Sequence, residues 1–123
     1  MKFKKIVILI IGVLIEFLVH WWICTNSIVV KNYGISFSIH WVDSLLLNII
    51  FILIVGWFYF KEKSYFLVLI LVGGLVNLID RLLFGYVRDY WNFFELFVNN
   101  LNDWFVGGGV LLFLLETIWK KQK

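Results

Sequence analysis

Charged residues are scarce in this chain of 123 residues, at 15% of the sequence, whereas hydrophobic residues make up 63%. A soluble domain averages about half apolar and about a quarter charged residues. Proline is absent, and the mean hydropathy is +0.94. The composition therefore predicts an integral membrane protein, with no room between its spans for a separate extramembrane domain.

Several common kinds of functional site are missing as well. The single cysteine, Cys24, cannot form an internal disulfide. The two histidines, His20 and His40, have no partner at the spacing of metal ligands, so no metal site is expected. The sequence contains neither a nucleophile elbow nor a glycine-rich phosphate loop. The net charge of +3 does not indicate nucleic-acid binding, because the lysines flank hydrophobic spans.

Four hydrophobic runs each approach the ~20 residues that a helix needs to cross a bilayer. We expect spans at about 6–23, 44–60, 64–84 and 104–119, in one membrane domain covering residues 1–123. No alternation of period two supports a β-barrel, so the fold class is predicted to be an all-α integral membrane protein. The basic N-terminus resembles a signal peptide but lacks a small-residue cleavage site, so we expect a retained first helix.

The lysines indicate the orientation of the four spans. All of them except Lys31 precede the first span, lie between the second and third, or follow the fourth. The positive-inside rule makes that side cytoplasmic, which predicts an N-in/C-in topology. The aspartate-rich segment between the third and fourth spans then faces the extracytoplasmic side.

Polar residues concentrate near the far end of the third span and the start of the fourth. Asn77, Asp80 and Arg81 are spaced at i, i+3 and i+4, and the simplest interpretation of the last two is an ion pair. Asp89 and Asp103 are expected at similar depth, where neighbouring carboxyl groups share one proton. Such a pair can activate water and protonate an amide. The alternative for Asp103 is a simple helix cap.

Two further patterns concern packing and the first outer loop. Glycines at 73–74 and 107–109 predict close approach of helix backbones. The loop carries β-like runs at 28–30 and 35–39 around Gly34, which favours a short extracytoplasmic hairpin.

In their order along the chain, these motifs resemble signal peptidase II, the bacterial lipoprotein signal peptidase family. The family pattern reads Asn-x-Gly-x-x-Phe, Gly-Gly, Asn-x-x-Asp-Arg, Gly-x-Val-x-Asp-Phe and Phe-Asn-x-Ala-Asp. The corresponding stretches of this chain are 32–37, 73–74, 77–81, 85–90 and 99–103. The likeness covers essentially the whole chain.

The resemblance implies an intramembrane aspartic endopeptidase, which removes the signal peptide from prolipoproteins carrying a diacylglyceryl-modified cysteine. By position, Asp89 and Asp103 match the catalytic pair. The residues that match substrate-binding or supporting positions are Asn32, Asn77, Asp80, Arg81, Asn100 and, where the family's first helix has Asp and Lys, Glu16 and His20. The loop near Asn32 corresponds to a small β-cradle, and no cofactor is implied.

The resemblance also implies a multi-pass protein of the bacterial cytoplasmic membrane, with its active site at the extracytoplasmic face. Expected partners are the prolipoprotein substrate and membrane lipid, without nucleic acid, and we expect a monomer. The chain departs from the family pattern at His20, Asn99 and Asn102. Two alternatives therefore stay open: a catalytically inactive relative that binds lipidated peptides or lipid, and a structural protein whose acidic residues cap helices.

Overall fold

The computed structural model describes residues 2–34 and 44–123. Its helices, each long and apolar enough to cross a membrane, are α1 (Lys2–Thr25), α2 (Ser44–Lys61), α3 (Leu67–Phe84) and α4 (Leu101–Lys121). They overlap the four predicted spans and confirm the predicted fold class. The boundaries differ most at α1, which begins at Lys2 rather than at residue 6. Helix α3 begins at Leu67 rather than at residue 64, and the Ser64 hydroxyl before it accepts a hydrogen bond from the Phe66 amide.

Four short strands lie together at one end of the helices, which we call the strand end; the opposite end, with both chain termini, is the terminal end. The strands are β1 (Val30–Asn32), β2 (Val87–Asp89), β3 (Trp91–Phe93) and β4 (Phe97–Asn99). β1 pairs with β2 and β3 with β4, both antiparallel. The second arm predicted for the hairpin, residues 35–39, lies outside the described residues.

A left-handed glycine joins α3 to strand β2. Gly85 has φ of 81°, and its amide donates to the carbonyl of Arg81 at 2.9 Å. Glycine adopts this conformation without the steric cost that other residues incur. The turn ends α3 sharply and directs the chain back towards β1.

Helix α3 is the central helix of the bundle. Half of its most apolar stretch is buried, against 11–17% of the corresponding stretches of the other three helices. Towards the terminal end, Leu67, Ile70 and Leu71 pack with Val55 and Tyr59 of α2. The other helices therefore leave most of their apolar surface for contact with lipid.

Only some of the glycines have the predicted packing role. A Cβ atom added at Gly73 would lie 2.5 Å from the backbone oxygen of Asn102, and one at Gly109 would lie 2.7 Å from Ile70 Cγ1. These two glycines therefore let α3 and α4 approach closely. At Gly107 and Gly108 an added Cβ meets nothing within 4 Å in the described chain, so the packing prediction is wrong there.

Lys5 joins the terminal ends of α1 and α2. Its buried ammonium group donates to the backbone carbonyls of Tyr59 and Glu62, at the C-terminal end of α2. The Tyr59 hydroxyl donates in return to the carbonyl of Lys5 at 3.0 Å. A cation is favourable at a helix C-terminus, where carbonyl groups lack helical partners. The sequence indicates only an orientation signal for Lys5, and the structure adds this packing role.

Candidate active site

The two aspartates implied to be catalytic both lie at the strand end. Asp89 is the last residue of β2, and Asp103 lies in the first turn of α4. Their side chains are buried, with 1% and 5% of their surfaces exposed. Buried carboxyl groups need hydrogen-bond partners, and amide side chains supply most of them here.

Asn100 contacts both aspartates. Its Nδ2 donates to Asp89 Oδ1 at 2.9 Å. It also forms a capping box with Asp103: Asn100 Oδ1 accepts from the Asp103 amide at 3.1 Å, and Asp103 Oδ2 accepts from the Asn100 amide at 3.2 Å. The helix cap considered for Asp103 is therefore Asn100, and Asp103 takes the third position of the box.

Asn77 of α3 forms further contacts with Asp103 and Asn100. Its Nδ2 lies 3.5 Å from Asp103 Oδ1, at the limit of a hydrogen bond. Its Oδ1 accepts from Asn100 Nδ2 and from Asn102 Nδ2, each at 3.1 Å. The sequence indicated Asn102 only as a departure from the family pattern, whereas its amide is part of this network.

The electrostatic environment favours a proton on Asp89. Burial is the largest cause, followed by the negative charge of Asp103, and together they raise the pKa of Asp89 to about 7. Hydrogen bonds from Asn32 and Asn100 and the charge of Arg81 oppose the increase. The negative charge of Asp103 thus acts on Asp89, and Asn100 contacts both carboxyl groups. Among the described residues, Asp89 Oδ2 accepts no hydrogen bond.

Asp80 belongs to a second polar cluster beside the first. His20 Nε2 lies 2.7 Å from Asp80 Oδ2, and Arg88 Nη2 lies 2.9 Å from Asp80 Oδ1. The predicted Asp80–Arg81 ion pair is wrong. Adjacent helical residues point about 100° apart, so Arg81 extends in another direction.

Arg81 faces a groove between α2, α3 and α4. Its guanidinium group donates to Asn48 Oδ1 and, at 2.8 Å, to the carbonyl of Gly34. The groove has a volume of about 320 Å³. The residues lining it are Ser44, Leu47, Asn48, Phe51, Gly74, Asn77, Arg81 and Val106. Asn77 lines the groove and also contacts Asp103 and Asn100, so the groove adjoins the aspartate network.

Glu16 of α1 influences this site through its charge, which adds to burial in raising the pKa of the Tyr90 hydroxyl. It lines a separate cavity of about 280 Å³ bordered by α1, α3 and α4. The side chain is 3% exposed, and its Oε2 has no hydrogen-bond partner within the part of the chain that the structure describes. Among the described residues, no hydrogen bond joins Glu16 to the site, so its implied supporting role lacks the direct contact that His20 makes with Asp80.

Two residues of the site carried little signal in the sequence. Arg88 occupies a variable position of the matched motif, although it contacts Asp80. Tyr90 accepts a hydrogen bond from the Leu101 amide at 2.9 Å, which joins the segment after Asp89 to the start of α4. Burial raises the pKa of the Tyr90 hydroxyl, so it remains protonated. The family pattern has phenylalanine at this position, so the hydroxyl group of Tyr90 was the only sign of this role in the sequence.

The arrangement supplies two carboxyl groups for acid–base chemistry. Within residues 2–34 and 44–123, no three His, Cys, Asp or Glu side chains are placed to hold a metal ion. A carboxyl pair that shares a proton provides both an acid and a base at neutral pH.

Comparison with known proteins gives a family match over residues 3–119, to signal peptidase (SPase) II. The lipoprotein signal peptidase of Bartonella tribocorum is 35% identical over 112 residues, which cover 76% of this chain and 66% of that protein. The enzyme of the same name from Streptococcus agalactiae is 34% identical over 105 residues, covering 75% and 66%. The chain thus spans slightly less than two thirds of the length of these relatives.

Solved structures agree on the fold. One bacterial membrane enzyme, determined by the in meso method at 2.3 Å resolution, superposes with a TM-score of 0.74. The match covers 96% of this chain and 89% of the other, at 22% identity. A second bacterial membrane enzyme gives a TM-score of 0.70, also at 22% identity. At this level of identity the likeness concerns the arrangement of the helices and strands.

Proposed function

This chain belongs to the signal peptidase II family, and from that premise we propose that it is an aspartic endopeptidase acting on lipoprotein precursors. The substrate is a prolipoprotein whose cysteine carries a diacylglyceryl group, and the product is the lipoprotein freed of its signal peptide. Asp89 and Asp103 are the catalytic pair. The observation that carries the proposal is the contact of both buried aspartates with Asn100.

Hydrolysis by this pair needs one proton and one negative charge between the two carboxyl groups. Asp103, as the base, removes a proton from water while the hydroxyl adds to the peptide carbonyl carbon and Asp89 protonates the carbonyl oxygen. Asp103 then donates its proton to the leaving nitrogen as the carbon–nitrogen bond breaks. Asp89 recovers its proton from a hydroxyl group of the intermediate. A pKa of about 7 suits Asp89 to this exchange near neutral pH.

The groove beside Arg81 and Asn48 is the proposed site for the substrate near the cleaved bond. Its lining is largely apolar, with polar groups at the end near Asn77. Clefts of about 300 Å³ and above, apolar with few polar groups, are typical of ligand sites. A signal peptide helix enters such a groove from the surrounding lipid without crossing water.

The lysine distribution supports the location in the cell. With the terminal end in the cytoplasm, the strand end and the carboxyl pair face the extracytoplasmic side of the bacterial inner membrane. Exposed aromatic and apolar residues at the tip of the β3–β4 hairpin, such as Phe94 and Leu96, suit contact with the lipid surface.

The test is cleavage of a diacylglyceryl-modified precursor by the purified protein in detergent. We expect Asp89→Asn and Asp103→Asn each to reduce kcat by about 10³-fold or more, because the two carboxyl groups act as a unit and the loss of either one removes the acid–base pair. Both variants should still reach the membrane fraction.

Glu95→Gln provides the matched control. Glu95 is an exposed acid in the turn between β3 and β4, outside the carboxyl network, so its replacement should leave cleavage within about twofold. A wild-type protein that leaves the modified precursor uncut would favour the inactive, lipid-binding alternative. Full cleavage by either aspartate variant would exclude the proposed pair.

A further inference from the structure

Arg88 is held rigidly beside Asp89 in strand β2. Its side chain is 11% exposed. The guanidinium carbon lies 5.1 Å from the ring centre of Trp21 and 4.6 Å from that of Phe84. Aromatic rings near a planar cation restrict its orientation and stabilise its charge. Arg88 is therefore an ordered interior residue, although it lies in a short strand at the end of the bundle.

The partner of Arg88 is the fully buried carboxylate of Asp80 in α3. Arg88 Nη2 donates to Asp80 Oδ1 at 2.9 Å and Nε to Oδ2 at 3.3 Å, and the Arg88 backbone amide donates to Oδ2 at 3.0 Å. His20 adds one contact, but its ring carries a charge only when protonated. Arg88 thus supplies the permanent positive charge that a buried carboxylate requires.

This contact fixes one side of strand β2. Successive side chains of a strand point to opposite faces, so Arg88 and Asp89 extend in opposite directions. On one face Arg88 binds Asp80, and on the other Asp89 binds Asn100 at 2.9 Å. A strand of three residues has few backbone hydrogen bonds to hold it, so its side-chain contacts contribute much of its placement.

We propose that Arg88 is a positioning residue for Asp89: by binding Asp80, it ties β2 to α3 and sets where the Asp89 carboxyl group lies against Asn100. The assignment rests on the proposed function, in which Asp89 is catalytic. It differs from a purely structural role, in which Arg88 would only neutralise Asp80 and stabilise the fold.

The first experiment compares Arg88→Gln with wild type in precursor cleavage. A reacting group displaced by about 1 Å can cost about 10²-fold in rate, so we expect kcat to fall by at least about tenfold, with KM within about twofold. Arg88→Lys keeps the charge but loses the bidentate contact, and should give an intermediate kcat. The matched control is Lys31→Gln, since Lys31 is exposed and pairs with Arg88 in the sheet. Its kcat should stay at the wild-type value.

A second variant separates placement from charge. Adding His20→Lys to Arg88→Gln returns a permanent positive charge to Asp80 from α1, without restoring the side-chain contact between β2 and α3. The backbone amide of residue 88 donates to Asp80 in either case. We expect the thermal stability to recover while kcat remains low. A wild-type kcat in Arg88→Gln, or full recovery of kcat in the double variant, would overturn the inference.

A spectroscopic measurement keeps the inference testable if the protein does not cleave the precursor. The carboxyl ¹³C resonance of Asp89 can be assigned by its absence in Asp89→Asn. Arg88→Gln should shift this resonance, and Lys31→Gln should leave it in place. An unchanged resonance in Arg88→Gln would refute the positioning role, whereas cleavage retained by Asp89→Asn would refute the proposed function and leave this result standing.

Discussion

The two ends of helix α3 are buried for different reasons. Near the terminal end, Leu67 and Leu71 belong to an apolar cluster. Near the strand end, Asn77 and Asp80 are equally well buried, but their neighbours are amide groups, a carboxylate, an imidazole and a guanidinium group. One helix therefore carries a packed half and a hydrogen-bonded half.

The two halves of α3 are therefore stabilised in different ways, one by packing and the other by hydrogen bonds. Inside a bilayer, apolar side chains gain little by leaving lipid, so the packed half depends on close contact between surfaces. A polar group in the other half is costly unless each of its atoms is paired. Burying charged groups carries a desolvation cost that an apolar core does not, and charged groups in membrane proteins often mark functional sites.

The largest expected effect concerns Asp89 in the polar half. Its pKa of about 7 lies above the ordinary value of 3.8, so the folded protein binds this proton more tightly than the unfolded chain does. Stability should therefore fall as the pH rises from about 4 to about 7. The side chain in Asp89→Asn cannot ionise. Its free energy of unfolding should therefore exceed that of wild type by up to about 4 kcal/mol at pH 8, with little difference near pH 4. Unfolding in detergent across this range measures the effect; a difference independent of pH would contradict it.

In the packed half, Leu71→Ala should destabilise the protein by about 3 kcal/mol, because it leaves a cavity in the centre of the cluster. Protein that remains folded should keep the proposed activity with an unchanged kcat, since the described residues of the cluster do not include either member of the carboxyl pair. Leu83→Ala, on an exposed face of the same helix, is the control and should have little effect. A large drop in kcat for Leu71→Ala would show that the two halves are coupled.

Gly73 lies at the boundary between the packed half and the hydrogen-bonded half of α3. Its replacement should therefore affect both stability and kcat. Alanine there forces α3 away from the backbone of Asn102, at a cost of about 2 kcal/mol, and moves the start of α4 with Asp103. We expect lower stability together with lower kcat. Gly107→Ala, where an added Cβ meets nothing within 4 Å in the described chain, should change neither. Loss of stability with unchanged kcat would place Gly73 in the packed half alone.

The smallest effect is expected at the terminal end. Tyr59→Phe removes the hydrogen bond to the carbonyl of Lys5 and should cost about 1 kcal/mol. Thermal unfolding and precursor cleavage, measured on the same sample, check that stability changes while kcat and its pH dependence do not. An altered pH dependence would show that this end influences the carboxyl pair.

Much of the fold could be predicted because its signals are local in the sequence. Four apolar runs of suitable length give four spans, which depend only on the length of each run. The grouping of Asn77, Asp89, Asn100 and Asp103 in one site was instead implied by the family resemblance, because Asn77 and Asp103 are 26 positions apart. The capping box is a local signature as well, since Asn100 and Asp103 are three positions apart.

The ion-pair partner of Asp80 could not be predicted from local sequence signals. Arg81 is adjacent in sequence but points elsewhere, whereas Arg88 reaches Asp80 only after Gly85 turns the chain and β2 pairs with β1. That contact depends on the tertiary fold. Glu16 is a different case: the family resemblance implied a supporting position for it, and its side chain lines a cavity bordered by α1, α3 and α4.

The sharing of Asp103 between the first turn of α4 and the proposed acid–base pair has a consequence for biogenesis. α4 follows Asp89 along the chain, so a nascent polypeptide that stops before α4 holds only one member of the proposed pair. The second member takes its place when α4 enters the bilayer and winds its opening turn next to α3. If the proposed pair is the catalytic one, a translation product that lacks α4 cannot cleave a precursor.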